Sequence, residues 1–326
     1  MTSIASNNPL ESSGEQKNEE QVRSPAVILF EYVGDRSGST SSISSAQMIG
    51  LQKCICDRRA DIERTGAECY VSITTFDDEV ETFTKKWSEN DDDYANLKNM
   101  PEKFTSEELN NMLKPRGCTR LVDTAYERAL AFEKKMNEIH ESLKDKENKK
   151  VVGVFAISTD GLDNASCKYS VQELNAVVRR LRKSGVEMMF LAANQDAIAT
   201  GTTFGFAASH AMTFGATPET TKAAFKGLSQ LTRDASDGVP TSGFSRRMRQ
   251  VSDPMSNSSP VFGSQRVVIP RRLKMSTYIP IDSPVEQNGA AHLAAYLTPQ
   301  QQYHMNISGA TRVQLVHSPH VTFDDN

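Results

Sequence analysis

The stretch VILFEYVGDRSGSTSS, residues 27–42, decides the fold. Large apolar residues run almost unbroken from Val27 to Val33, as in a parallel strand buried on both faces, and the run ends at Asp35. Hydroxyls then follow at alternate positions, Ser37, Ser39 and Ser41. Burying such groups without partners costs about 1–3 kcal/mol each, so a carboxylate and alternating hydroxyls at a strand end imply something that satisfies them. Farther on, Met48, Leu51, Ile55 and Ile62 keep the spacing of a helix packed on a sheet. Asp35 to Ser39 is therefore a strand-to-helix turn. Glu31 breaks the apolar run, and nothing else in the sequence accounts for it.

The same alternation of patterns continues to Ser236. Cys69 to Phe76 and Val80 to Trp87 flank Asp77-Asp78-Glu79 and predict a hairpin, the first antiparallel element. Thr105 with Glu108 forms a capping box, and Phe104 staples onto Leu109, so a short helix begins there and ends by Pro115. Ala125, Ala129, Phe132, Met136, Ile139 and Leu143 mark a longer helix. Val151 to Ile157 is a second buried strand, ending in Ser158-Thr159-Asp160-Gly161. A helix capped by Ser170 and Glu173 follows, closed at Gly185. Strand Val186 to Leu191, helix Ala197 to Phe204, strand His210 to Phe214 and helix Pro218 to Leu231 complete the pattern, with Thr217 and Pro218 as cap and first residue. This order describes an α/β fold: a doubly wound, mostly parallel sheet with one antiparallel edge strand and helices on both faces. Ligands of such sheets bind beyond the carboxyl ends of the strands, where Asp35 and Asp160 are expected.

Three segments then converge on one end of the sheet: Asp35-Arg36-Ser37-Gly38-Ser39, Gly117-Cys118-Thr119-Arg120-Leu121-Val122-Asp123 and Ser158-Thr159-Asp160-Gly161. Their hydroxyls and carboxylates are hard oxygen donors, with no His or Cys thiolate to favour a softer metal, and they suit Mg²⁺. This set resembles the von Willebrand factor A domain and its metal-ion-dependent adhesion site, over nearly all of Pro25 to Ser236. The resemblance implies that Ser37 and Ser39 ligate Mg²⁺ or Mn²⁺ directly, that Thr119 does so directly or through water, and that Asp35 and Asp160 act through water. It also implies that an Asp or Glu carboxylate from a protein partner completes the shell. Asp123 matches an acidic residue the family often places at the start of the next helix, while Cys118 and Arg120 stand where glycine and proline are common. Helix capping alone explains Ser37 and Ser39 but leaves Thr119 and Asp160 unexplained.

Other classes fit less well. A nucleophilic serine needs a base beside it, and the histidines of the domain, His140 and His210, lie away from strand C-termini, so the chain is not expected to be an enzyme; a metal-dependent hydrolase is the least favoured reading. No phosphate-cradling G-x-x-x-x-G-K-[ST] follows the first strand. A formal charge of −4 argues against a general nucleic-acid or membrane binder. No apolar run reaches the ~20 residues of a membrane helix, and Met1 opens a polar stretch rather than a signal peptide, so an intracellular, cytoplasmic protein is expected. Five scattered cysteines, Cys54, Cys56, Cys69, Cys118 and Cys167, suit reduced thiols. The expectation is a metal-dependent protein-binding module, with a metal-free scaffold that binds through its tail or helices as the alternative.

Residues 1–24 are polar and 237–326 are punctuated by Ser and Pro, so both flanks read as disordered. Within the second, Arg246, Arg247 and Arg249 precede Ser252 in a pattern that suits a basophilic kinase and loosely resembles ligands of 14-3-3 phosphoserine readers; a solvated basic stretch is the plainer reading. Asn306-Ile307-Ser308 fits a glycosylation acceptor without secretory context, and His304, His317 and His320 lack the acidic or Cys companions of a metal site.

Overall fold

The computed structural model describes residues 27–144, 150–193, 195–239 and 241–253. The leader, the segment beyond Asp253 and the motifs read there lie outside the described residues. Strand β1 (Val27–Asp35) occupies the centre of the sheet, paired in parallel with β2 (Glu68–Phe76) on one side and β5 (Val151–Thr159) on the other. Beyond β5 come β6 (Glu187–Ala193) and β7 (Ala211–Phe214), both parallel, and with β3 (Val80–Thr82) at the opposite edge the order is β3-β2-β1-β5-β6-β7. Helices cover both faces, so the chain has the α/β architecture its strand pattern predicts.

Residues of β1 alternate between the two faces, as strand geometry requires. Ile28, Phe30 and Tyr32 join the core under α1 (Ser44–Thr65), α2 (Ser106–Leu113) and α6 (Pro218–Ser236). Leu29 and Val33 join the core under α3 (Leu121–Leu143), α4 (Val171–Lys183) and α5 (Ala197–Thr203). Glu31 belongs to this second face and is wholly buried. Its carboxylate receives Arg128 Nε at 2.8 Å and Nη2 at 3.1 Å from α3, together with the hydroxyls of Ser72 and Tyr94. The acidic residue that interrupted the apolar run thus anchors a polar network between sheet and helix.

The predicted hairpin forms, but its second arm is shorter than expected. β3 (Val80–Thr82) pairs antiparallel with β2, and Phe83–Trp87 then turns into a 3-10 helix. Thr84 causes the change: its hydroxyl accepts Ile73 N at 3.2 Å and donates to Asp93 O at 2.7 Å, doing for β2 what a continuing strand backbone would. Trp87, released from the edge, stacks on Phe104. A further strand, β4 (Ala95–Asn96), takes the vacated edge opposite Tyr70 and Val71, so two antiparallel strands share β2 where one was expected.

The packed structure also runs past Ser236. Phe244 is buried and a short helix, α7 (Arg246–Ser252), lies against α6 and β7. Residues 241–253 are therefore part of the fold rather than of a solvated tail. No described helix is long and apolar enough to cross a membrane.

Candidate metal centre

Asp35 is the last residue of β1 and Asp160 the first after β5, and the parallel register of these two strands sets Gly34 beside Ser158. Both carboxylates consequently meet at the C-terminal edge of the sheet. The chain turns sharply after Asp35 because Asp35 Oδ1 accepts Ser37 N at 2.7 Å, an Asx turn that leads into a 3-10 turn over Gly38–Ser42. Asp35 Oδ2 accepts the Thr159 hydroxyl at 2.6 Å. Ser37 Oγ lies 3.0 Å from Ser39 Oγ, and Ser39 Oγ donates to Asp160 Oδ1 at 2.7 Å.

Thr119 arrives from the loop between α2 and α3. Backbone bonds hold this loop to the first: Arg116 N donates to Arg36 O at 2.9 Å and Gly38 N to Gly117 O at 3.2 Å. The loop after β5 clasps it from the other side, where Asn164 Oδ1 accepts Thr119 N at 2.7 Å. A Cβ built on Gly161 would stand 3.2 Å from Thr119 Oγ1 and 3.4 Å from Ser39 Oγ, so the absence of a side chain there keeps open the space between the two hydroxyls. The structure brings together all five residues singled out in the sequence, Asp35, Ser37, Ser39, Thr119 and Asp160. Ser39 is exposed while the other four are buried, so the cluster faces solvent on one side.

The electrostatics of Asp35 and Asp160 differ from those of the other fully buried acids among the described residues, while the half-buried Asp163 nearby is likewise raised by burial. Seven acidic residues are buried among the described residues: Glu31, Asp35, Asp57, Asp61, Asp77, Asp123 and Asp160. Glu31 pairs with Arg128, Asp57 with Lys53, Asp61 with Arg58, Asp77 with Arg36 and Asp123 with Arg120. Asp35 and Asp160 have no Lys or Arg partner among the described residues. Burial pushes Asp35 from an ordinary 3.8 to about 6, against the opposing hydrogen bonds from Thr159 and Ser37. Burial raises Asp160 in the same way. Two uncompensated carboxylates beside three hydroxyls are a donor set that fits a hard divalent cation. No three His, Cys, Asp or Glu side chains converge on such a point among the described residues, so a cation here would depend on the hydroxyls.

Several residues that position the cluster were not legible as such. Arg36, between the two motif residues, turns away from the centre to Asp77 at 3.0 Å and Glu81 at 2.8 Å, fastening the first loop to the β2–β3 turn. Asp123 is not at the centre either. Its carboxylate accepts the backbone N–H groups of Cys167, Lys168 and Tyr169 at 2.9–3.2 Å, and although burial works against it, these bonds and Arg120 hold it below its usual range. Asp163 and Ser166 cap the first turn of α3 by accepting Val122 N and Asp123 N. The run Asp163-Asn164-Ala165-Ser166, rich in capping side chains, was the available signal for this clasp. His210 stands at the N-terminal end of β7, on Glu187 and Thr241, away from the cluster.

No protein-family profile matches the chain, and no curated protein does. Solved structures similar to it include proximal thread matrix protein 1 of the mussel byssus, at 14% identity and a TM-score of 0.36 over 66% of this chain. That protein has also been solved with a zinc-occupied MIDAS motif. A von Willebrand factor type A protein from Catenulispora acidiphila is similar at 9% identity and a TM-score of 0.38, over 64% of this chain and 43% of that one. The pilus adhesin SpaC of Lactobacillus rhamnosus GG is similar at 12% identity and a TM-score of 0.40, over 65% of this chain and 31% of that one. The chain spans less than half the length of each, 46% in the case of the byssus protein. The fold assignment rests on the strand order and register described above.

Proposed function

We propose that this chain is an intracellular protein-binding module of the von Willebrand factor A type, which holds Mg²⁺ or Mn²⁺ at Asp35, Ser37, Ser39, Thr119 and Asp160. The observation that carries this reading is the contrast among the buried acids of the described residues: five are matched there by an Arg or Lys, and the two at the C-terminal ends of β1 and β5 are not. When bound, a dication supplies a position that accepts an anionic oxygen. Ser37, Ser39 and Thr119 offer neutral oxygens, while Asp35 and Asp160 orient the serine side and balance part of the charge. Because most ligands are neutral, the centre keeps a preference for an outside anion, which we assign to a single Asp or Glu carboxylate of a protein partner. Catalysis is not part of the proposal, since no histidine stands beside Ser37 or Ser39 among the described residues to serve as base.

Isothermal titration of the full chain with Mg²⁺ and Mn²⁺ tests the metal. One site is expected in the wild type, weakened sharply in Asp35→Ala and in Ser37→Ala/Ser39→Ala. Absence of binding heat, together with a melting temperature indifferent to millimolar Mg²⁺, refutes it. For the partner, affinity capture in Mg²⁺ and in EDTA followed by an acid-to-alanine scan should find one carboxylate whose loss costs about 2 kcal/mol or more. Binding that survives both chelation and every acid-to-alanine change refutes the carboxylate assignment.

A further inference from the structure

Residues 241–253 lie as a strap over the outer edge of the sheet. Among the described residues β7 is an end strand, paired only with β6, and its other edge is the kind of edge that proteins usually cover. Phe244 is buried beside Gly227 of α6, and its N–H donates to Ser209 O at 2.8 Å. Gly243 makes this approach possible, with φ at +85° and Ser209 O only 2.3 Å from where a Cβ would be. Arg249 fans its guanidinium over the carbonyls of Phe244, Ala208, Ser209 and Ala211. At the end of α7, Ser252 O accepts Gly215 N at 2.9 Å, just past β7. Ser252 is 0% exposed, and its hydroxyl is buried with no hydrogen-bond partner among the described residues.

Arg249-Gln250-Val251-Ser252 also places an arginine three residues before a serine, with Arg246 and Arg247 exposed upstream. Basophilic Ser/Thr kinases accept that arrangement. Docking uses both determinants such a kinase needs, Arg249 for the carbonyl fan and Ser252 for the last packed position. Kinase and domain therefore compete for the same residues.

We propose that Ser252 is a phosphorylation site whose modification unlatches the strap. In the transfer, Ser252 Oγ bonds to the γ-phosphorus of a nucleoside triphosphate, the bond from that phosphorus to the β,γ-bridging oxygen breaks, nucleoside diphosphate leaves, and the hydroxyl proton is released. The product carries about −1.5 to −2 charges. Ser252 Oγ has no hydrogen-bond partner among the described residues, and enclosing a dianion where a neutral hydroxyl is packed carries a large desolvation cost, so the modified strap does not re-dock. Phe244 and Met248 then leave their apolar contacts, and β7 presents an open edge suited to strand addition. The inference is independent of the metal ligands.

The test treats the full chain with a purified basophilic kinase and ATP, follows Ser252 by site-resolved mass spectrometry, and measures hydrogen exchange before and after. Wild type should be labelled slowly. Ser245→Ala removes the cap that accepts Met248 N while leaving Arg249 and Ser252 in place, and should raise the rate about fivefold, the population change expected for a lost cap. Phe244→Ala should raise it further, with protection of residues 27–193 retained as the control for folding. After labelling, exchange should rise across 241–253 and in β7 but not in β1 or β5. A kinase active on its standard substrate that labels Ser252 in none of the three proteins overturns the proposal. So does equal labelling of all three, or a phosphorylated chain whose strap stays protected.

Discussion

Replacing Asp35 by Asn removes a charge from the candidate centre and leaves its size unchanged. Because burial raises the Asp35 carboxyl from 3.8 to about 6, the folded chain holds this proton more tightly than the unfolded chain. Stability therefore falls as pH rises between those values and stays lower above them. The ceiling on that loss is about 3 kcal/mol at neutral pH. Asn keeps one acceptor and presents an amide donor in place of the other, so the Thr159 hydroxyl must turn to accept, and a net gain of about 2 kcal/mol is expected. In EDTA at pH 7.5 the variant should melt about 4–8 °C above wild type. The gap should close as pH is lowered below Asp35's own titration. Saturating Mg²⁺ should reverse the effect, since metal at 100 times Kd stabilises wild type by about 2.7 kcal/mol and the variant far less. Melts followed by circular dichroism, with and without chelator at several pH values, measure all of this. A variant less stable than wild type in EDTA at pH 7.5, or a gap that ignores pH, would show that Asp35 is not an uncompensated charge.

Three further outcomes follow from the same geometry. Arg128→Met leaves Glu31 buried without its cation and should cost about 3–5 kcal/mol in urea unfolding; Glu31→Gln should cost less, because Asp93 still pairs with Arg128, and equal losses would contradict this account of the network. Gly161→Ala puts a methyl group against the Thr119 and Ser39 hydroxyls, so titration should show Mg²⁺ affinity reduced at least about tenfold while stability in EDTA changes by about 0.5 kcal/mol or less. Asp123→Ala should cost about 1–3 kcal/mol and speed amide exchange at Cys167, Lys168 and Tyr169, whose N–H groups it accepts; unchanged exchange there would remove its clasping role.

What was legible in the sequence was local. The capping boxes at Thr105–Glu108 and Ser170–Glu173 form with both reciprocal hydrogen bonds, because each needs only the residues of one helical turn. The β1 run and the three motif segments were equally self-contained, and strand order placed them at one edge. What was not legible depends on distant partners. Glu31 is explained by Arg128, 97 positions away, and Asp123 by backbone groups 44–46 positions away. The second arm of the hairpin failed at Thr84 because a side chain can satisfy a strand edge as well as a backbone can, a substitution no propensity reveals. The plainer of the two sequence readings makes Arg246–Ser252 a solvated basic stretch, yet Arg249 is held by carbonyls some 40 positions earlier. Its charge marked it as surface, while the carbonyl fan that satisfies that charge is visible only in three dimensions.

The candidate centre departs from the way this chain treats every other fully buried acid among the described residues. At Glu31, Asp77 and Asp61 the domain supplies an arginine within ion-pair distance, which compensates the charge permanently and fixes two elements together. An arginine between Asp35 and Asp160 would do the same. Arg36 stands next in sequence to Asp35, but it is drawn off to Asp77 and Glu81. The cluster is instead finished with neutral hydroxyls, Ser37, Ser39 and Thr119, the least expensive oxygen donors to leave part-buried. For a merely structural junction that choice is poor, since it leaves both carboxylates raised by burial. For a centre that takes an exchangeable cation it is coherent: hydroxyls lend oxygen without cancelling the added charge, and the exposed Ser39 side leaves that charge reachable. A larger number of carboxylates would bind the cation more tightly and spend its charge within the domain. On the proposed reading the observed set keeps charge in reserve for an anion from outside, and the reserve would exist only while the metal is present.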